Sequence, residues 1–432
     1  MTSPLELWGG IECSVVRLGG LWRDQSRETG HHERLDDLDR VAALGICTLR
    51  YPVLWERCEA GPAHCGWEWH DERMARLREL GISPIIGLMH HGSGPPGTSL
   101  LDAELPERLA AHAARAAVRY PWVTAWTPVN EPLTTARFSG FYGLWYPHEC
   151  DEERFLAMLA IQCRAVLLAM RAIRQRIPGA RLVQTEDLSR VFSTRPLAYQ
   201  AEYENGRRWL SLDLLHGQVD GTHRWRERFI GAGIPVAWLD EFLTGEAAPD
   251  LTGINRYASS DRFLDHRLML YPHLPRGGNG RHVYIDTEAM RADLPAEELG
   301  WKARLGEAWH RYGRPLAVTE AHLGCEDVAE QLRWLMEAWQ AAEDLRAEGA
   351  DLRAVTAWAL FGAIDWNSML TRRDGHYEAA AWDISDGQPR PTLLAQAIEA
   401  LAKTGRFTHP ALAEPGWWQR EDRLHPGLRA AS

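Results

Sequence analysis

Short apolar runs alternate with longer amphipathic stretches along most of this chain. The runs Leu5 to Glu12, Ile46 to Tyr51, Ile82 to Met89, Val123 to Asn130, Arg181 to Thr185, Leu251 to Asn255, Leu316 to Glu320 and Ala354 to Leu360 have the length and apolar content of buried strands. Helices are predicted between them, over Glu33 to Leu44, Asp71 to Leu80, Ala103 to Arg119, Asp151 to Arg176, Ala296 to Arg311, Asp327 to Glu348 and Pro391 to Ala402. In the first of these, Leu35, Leu38, Val41, Ala42 and Leu44 fall at helical spacing, with Arg34, Arg40 and acids between them. The region Leu188 to Pro249 carries further helical pieces. Strands of this kind separated by helices are the mark of βα units. Eight of them predict an α/β fold with a single closed (β/α)8 barrel over residues 1–432. Ser259 to Glu288, rich in Gly, Pro, Arg and His, reads as a long loop after the sixth strand. The tail after about residue 408, with Pro410, Pro415 and Pro426, reads as an irregular extension packed on the outside.

Composition narrows the picture. A barrel with insertions can absorb 432 residues, and 45% hydrophobic content supports a large core. A net charge of -11 and the lack of a basic stripe argue against a nucleic-acid partner. No apolar run is judged long enough to span a bilayer. The stretch Met1 to Trp8 lacks the basic and apolar regions of a targeting signal, so the cytoplasm is the expected location. The seven cysteines are odd in number and scattered, which fits reduced thiols, with Cys13 a small buried filler. Cys58, His64, Cys65 and His70 lie close together, but their spacing matches no common zinc pattern, and no metal or cofactor is expected. Twenty tryptophans serve core packing and, in part, the stacking of sugar rings.

The candidate chemistry sits where the runs end. Glu131 closes the fourth strand, in Trp126-Thr127-Pro128-Val129-Asn130-Glu131-Pro132, and Glu320 closes the seventh, in Pro315-Leu316-Ala317-Val318-Thr319-Glu320. In a parallel barrel the C-terminal strand ends form the active-site floor. Two carboxylates facing each other there suit glycosidic bond cleavage. Arg50, His90 and His91, Asn255-Arg256-Tyr257, Trp358, Asp365 and Trp366 come from other strand ends or just beyond. Strand alternation lets only one of His90 and His91 face inward, and His90 is the choice. This mixture of acids, amides, imidazoles, a guanidinium and indoles suits a polyhydroxylated ligand.

These segments carry a resemblance. Arg50 to Arg57 is similar to the RFSxxWxR segment of glycoside hydrolase family 1, Leu88-Met89-His90 to its LYH, and Thr127 to Pro132 to its TFNEP. Phe138 to Pro147 resembles the loop that follows. Leu251 to Tyr257 resembles FLGINYY, Val318-Thr319-Glu320 resembles ITENG, and Trp358 to Trp366 resembles WSLLDNFEW. The ordered set covers about residues 5–405. The resemblance implies a retaining β-glycosidase acting on a carbohydrate or glycoside. Glu131 would be the acid/base and Glu320 the nucleophile. Asn130 would hold the sugar 2-hydroxyl, and Arg50 and Tyr257 would position Glu320. His90 and Trp358 would line the sugar subsite, with Trp366 beside them.

Departures from the family pattern bear on specificity. The family's QxEG glutamine has no counterpart in Cys13 to Gly19, and Glu12 or Arg17 is expected to supply a replacement contact. The outer-hydroxyl glutamate of FEW is Asp365, one methylene shorter. The ENG after the nucleophile reads Glu320-Ala321-His322. Glu12, Glu186 and Asp187 stand between pocket and structural ion-pair roles. The rival functions are a sugar-binding pseudoenzyme and a transglycosidase on the same barrel.

Overall fold

All eight apolar runs form strands of one parallel sheet: β1 (Glu6–Gly10), β2 (Thr48–Pro52), β3 (Ser83–Gly87), β4 (Ala125–Thr127), β5 (Arg181–Asp187), β6 (Leu251–Arg256), β7 (Leu316–Ala321) and β8 (Leu352–Ala357). Each pairs with the next in the chain, and β8 pairs with β1, so the sheet closes. This computed structural model describes residues 4–429. Met1 to Ser3, part of the stretch read for a targeting signal, and Ala430 to Ser432 lie outside the described residues.

Closure follows from the sequence because most strand residues are apolar or small and buried on both faces. Trp8, Ile85, Ala125, Val183, Leu251, Ala317 and Ala354, one from each of seven strands, pack as a cluster that fills the barrel. Mixing one large ring with small residues lets that layer interdigitate. The opposite faces of the strands meet the helices in the main core. Side-chain caps fix where several helices begin. Asp151 accepts from the Arg154 N–H at 2.8 Å to open Glu152–Arg174, and Asp327 accepts from the Ala329 N–H at 2.8 Å to open Val328–Ala347.

Three sequence expectations need correction. Ser259 to Glu288 is not a bare loop. It contributes Arg262–Asp265, Gly277–Gly278 and Val283–Glu288 to a small sheet whose fourth strand is Val191–Ser193. Phe263 and Ile285 anchor that sheet in a core of their own with Tyr271 and Leu428, so the chain's tail docks on it. The second barrel helix begins at Gly66 rather than Asp71, because Trp67 packs on the main core and His70 is buried. Lastly, Glu152–Arg174 does reach membrane-spanning length and a mean hydropathy of 1.7. Its apolar side chains are buried within the helical layer, which makes it a core helix of the barrel.

Candidate active site

Glu131 and Glu320 both reach the C-terminal end of the barrel, by different backbone routes. Glu320 lies within β7, where a register shift against β6 brings it level with Asn255. Glu131 follows β4 with a left-handed backbone, φ 45°. Non-glycine residues seldom take that conformation, which costs on the order of 1–3 kcal/mol. His91, Ala359 and Asp365 share it, all in loops at the same end of the barrel. Such strain persists only where surrounding contacts impose it.

The two carboxyls have unlike neighbours. Glu320 Oε1 accepts from the Arg50 guanidinium at 2.8 Å, and Oε2 accepts from the Tyr257 hydroxyl at 2.5 Å. Burial raises its pKa, while Arg50 and Tyr257 pull it back. Glu131 Oε1 accepts only an amide, from Asn255 Nδ2 at 2.6 Å, and Oε2 lies 3.7 Å from His91 Nε2. Burial raises Glu131 far above the usual carboxyl range, and the charges of Glu320, Asp187 and Glu186 add to this. Of the two, Glu320 therefore ionises more readily and Glu131 holds its proton.

Asn130 ties the pair together. Its Oδ1 accepts from Arg50 and from the Thr185 hydroxyl, both at 2.7 Å. Both lone pairs of that oxygen are used, so its amide nitrogen faces His90 Nε2 at 3.1 Å and must donate to it. The His90 proton then sits on Nδ1. Burial, His91 and Arg50 depress the His90 pKa strongly, so the ring is neutral. His90 stacks on Trp358 with centroids 5.4 Å apart, and Trp358 Nε1 donates to Glu12 Oε2 at 3.2 Å. Trp358 also lies flat against β1: a Cβ on Gly10 would fall 2.2 Å from its ring. A cavity of about 10 Å³, room for about one water, is lined by Cys13, Arg50, His90, Asn130 and Trp358 among others. The Cys13 thiol there is pushed well up by burial and stays protonated.

The chain's likeness to known proteins can be read against this geometry. Compared with models of protein families, it matches none. It is 23% identical over 429 residues to β-glucosidase 47 of Arabidopsis thaliana, covering 91% of this chain and 78% of that protein. It is 22% identical to a 6-phospho-β-glucosidase of Dickeya chrysanthemi, covering 78% of this chain and 76% of that one. It is 24% identical to a bifunctional β-D-glucosidase/β-D-fucosidase of Bifidobacterium breve, covering 80% of this chain and 82% of that one. A family 1 β-glucosidase from Thermotoga maritima superposes with a TM-score of 0.74 at 15% identity, covering 94% of this chain and all of that chain. The chain is thus similar in sequence to β-glucosidases and in fold to a family 1 β-glucosidase.

The divergence lies in the ring around the pair. In the stretch that lacks the family glutamine, Val16 is fully buried and packs with Trp145, Leu370 and Trp366. Glu12 is buried, and its carboxylate goes to the Ser14 N–H (2.9 Å) and the Trp358 indole. Arg17 lies over the Tyr146 ring at 3.7 Å. Each oxygen of the Asp365 carboxylate already has a protein donor. It accepts from Arg23 at 2.9 Å and from the His376 N–H at 2.8 Å. His322, two residues after Glu320, lies 3.4 Å from Glu378. Trp366 is half-buried, edge-on to His91 at 5.6 Å. His91 corrects the expectation that one histidine would turn away. β3 stops at Gly87, and the left-handed backbone at His91 swings its ring toward Glu131, so both imidazoles serve the site. Burial and Arg50 hold His91 down to about 3.

Asn255 was visible as a strand-end residue, but its bond to Glu131 was not. Glu186 and Asp187 sit beside the pair without entering an Arg bridge: Glu186 caps a helix, and Asp187 accepts from the Ser260 hydroxyl at 2.7 Å. Among the described residues no group of three or more His, Cys, Asp or Glu is placed to hold a metal. Between Cys58 and His70, His64 turns to the Glu59 carbonyl at 2.9 Å, and Cys65 lies 3.8 Å from His70.

Arg23 carries a stability prediction. It is 1% exposed and joins Glu28, Asp365 and the Leu370 carbonyl. Arg23→Ala leaves the Asp365 carboxylate buried without its cation, which is expected to cost about 3–5 kcal/mol. Urea unfolding of wild type and variant measures it. A loss below about 1 kcal/mol would assign Asp365 some other partner.

Proposed function

We propose that this protein is a retaining glycoside hydrolase that cleaves β-linked O-glycosides by double displacement. The observation that carries this is the opposed setting of two buried carboxyls in one site. A guanidinium and a phenol grip Glu320, while Glu131 meets an amide and other acids. Glu131 gives its proton to the glycosidic oxygen as Glu320 attacks the anomeric carbon, and the aglycone leaves as an alcohol. Glu320 is now an ester without charge, so Glu131, left anionic, accepts a proton from the water that displaces the ester. The free N–H of Asn130 is placed to donate to the sugar 2-hydroxyl, because its oxygen is already fully used. Seven unpaired cysteines support a cytoplasmic setting.

The apolar wall of Val16, Trp145, Leu370 and Trp366 meets the site at His91, whose ring lies 5.1 Å from Trp145 and 5.6 Å from Trp366, and this bears on the substrate. Apart from the Trp366 indole N–H, which has no protein partner, that wall offers a hydroxyl nothing to bond, which costs about 1–3 kcal/mol, or roughly tenfold or more in rate. Sugars with fewer outer hydroxyls should therefore be preferred. A panel of aryl β-glycosides tests this: a fucoside is expected to turn over at least about tenfold faster than the plain glucoside. Phosphorylated glucosides belong in the panel because a relative is named for them. Fast turnover of plain glucoside above all others would show that the apolar wall does not set specificity. No turnover of any glycoside would favour the sugar-binding reading.

A further inference from the structure

Glu131 is the N-cap residue of the helix Pro132–Ala136, with φ 45° and ψ 63°. At such a position the cap's own side chain ordinarily accepts from the N–H two or three residues on. Pro132 has no N–H, so the donors left open are those of Leu133 and Thr134. The Glu131 carboxyl takes neither. Glu186 takes both. Its Oε2 accepts from the Leu133 N–H at 2.9 Å, and its Oε1 from the Thr134 N–H at 3.3 Å and the Thr134 hydroxyl at 3.2 Å. Glu186 is wholly buried in β5, and the carbonyl of its neighbour Thr185 accepts the Glu131 N–H at 3.2 Å. Two successive residues of β5 thus pin the backbone on either side of Glu131.

We propose that Glu186 is a positioning residue, a helix cap supplied from the neighbouring strand that leaves the Glu131 carboxyl free to face substrate. The proposal rests on the reading of Glu131 as acid/base. Without Glu186, two buried N–H groups lack an acceptor, and the carboxylate nearest in the chain is that of Glu131 itself. Turned onto them, Glu131 would leave Asn255 and gain hydrogen bonds that favour its ionised form. An acid that has lost its proton and its aim protonates poor leaving groups badly. Burial pushes the Glu186 carboxyl up to about 7, and its charge adds to the field that keeps Glu131 protonated.

A cap with only a structural role would slow all substrates alike. A positioning role makes the loss depend on the leaving group. In Glu186→Ala, kcat/KM for a phenyl glycoside is expected to fall about 100-fold, and that for a dinitrophenyl glycoside less than about 10-fold. Glu186→Gln keeps one oxygen for the Leu133 N–H and should fall between the alanine variant and wild type. It also serves if the alanine variant does not fold. Crystal structures of both variants need no turnover, so they judge the cap separately from the enzyme reading. The expected result is a Glu131 carboxyl rotated from Asn255 onto the Leu133 and Thr134 N–H groups in Glu186→Ala. Equal losses for both leaving groups, or a Glu131 side chain unmoved in that structure, overturn the proposal.

Discussion

Glu320→Gly is expected to lower turnover of every aryl β-glycoside by on the order of 10⁵- to 10⁶-fold, the scale at which loss of a covalent nucleophile is felt. Without this carboxylate no glycosyl-enzyme ester forms, and the acid alone cannot drive the displacement. The vacancy has a definite chemical character. Arg50 still points into it and is held in place by the Thr319 carbonyl at 2.7 Å and by Asn130. A small anion should therefore enter beside the guanidinium. Added azide is expected to restore cleavage of a dinitrophenyl glycoside, attacking the anomeric carbon from the face the carboxylate occupied. The product is then a glycosyl azide of inverted configuration, formed in a single displacement because no ester to the enzyme arises. Proton NMR of the anomeric centre reads it directly. Activity near wild type in the variant, or an azide product of retained configuration, would place the nucleophile elsewhere.

Much of this arrangement is legible in the chain itself. The strands could be read because a barrel buried on both faces leaves uninterrupted apolar runs, and β1 to β8 all fall on such runs. Glu131 and Glu320 stood out because each ends one of them. The rest depended on contacts remote in sequence. Arg23 and Asp365 are 342 residues apart, and nothing local marks Asp365 as an ion-pair partner rather than a sugar contact. The small sheet beside the barrel pairs Phe263 with Phe192, across a long excursion, and its Gly- and Arg-rich strand connections masked the alternation in Val283–Glu288.

Backbone conformation was the other blind spot. The alternation rule applied to His90 and His91 assumes a strand, but β3 ends at Gly87. Once a residue takes a left-handed turn, alternation no longer sets its direction. The same holds for Glu131, which sits at the cap position with a left-handed backbone while Glu186, and not its own carboxyl, takes the open N–H groups of the next helix. Glu186 was conspicuous as an acid at a strand end. Its task follows only from the geometry of a residue 55 positions earlier, which composition and spacing do not encode.

Removing Glu131 should separate the two carboxyls by pH. Burial and the charges of Glu320, Asp187 and Glu186 all hold the Glu131 proton, with Asn255 alone opposing among its main influences. On Glu320, Arg50 and Tyr257 oppose burial. As pH rises Glu320 loses its proton first and Glu131 later, so the active form exists between the two steps. A bell-shaped kcat/KM profile is expected, its acid limb set by ionisation of Glu320 and its alkaline limb by loss of the Glu131 proton. His90 and His91 are held far below neutrality and give neither limb near pH 7. Glu131→Ala should erase the alkaline limb and keep the acid one. It should also lower kcat/KM for a phenyl glycoside by about 10³- to 10⁴-fold while sparing a dinitrophenyl glycoside, whose leaving group needs no proton. Burial also pushes the Glu186 and Glu56 carboxyls up to about 7. An alkaline limb that survives in Glu131→Ala would belong to another group, and would transfer the acid's role away from Glu131.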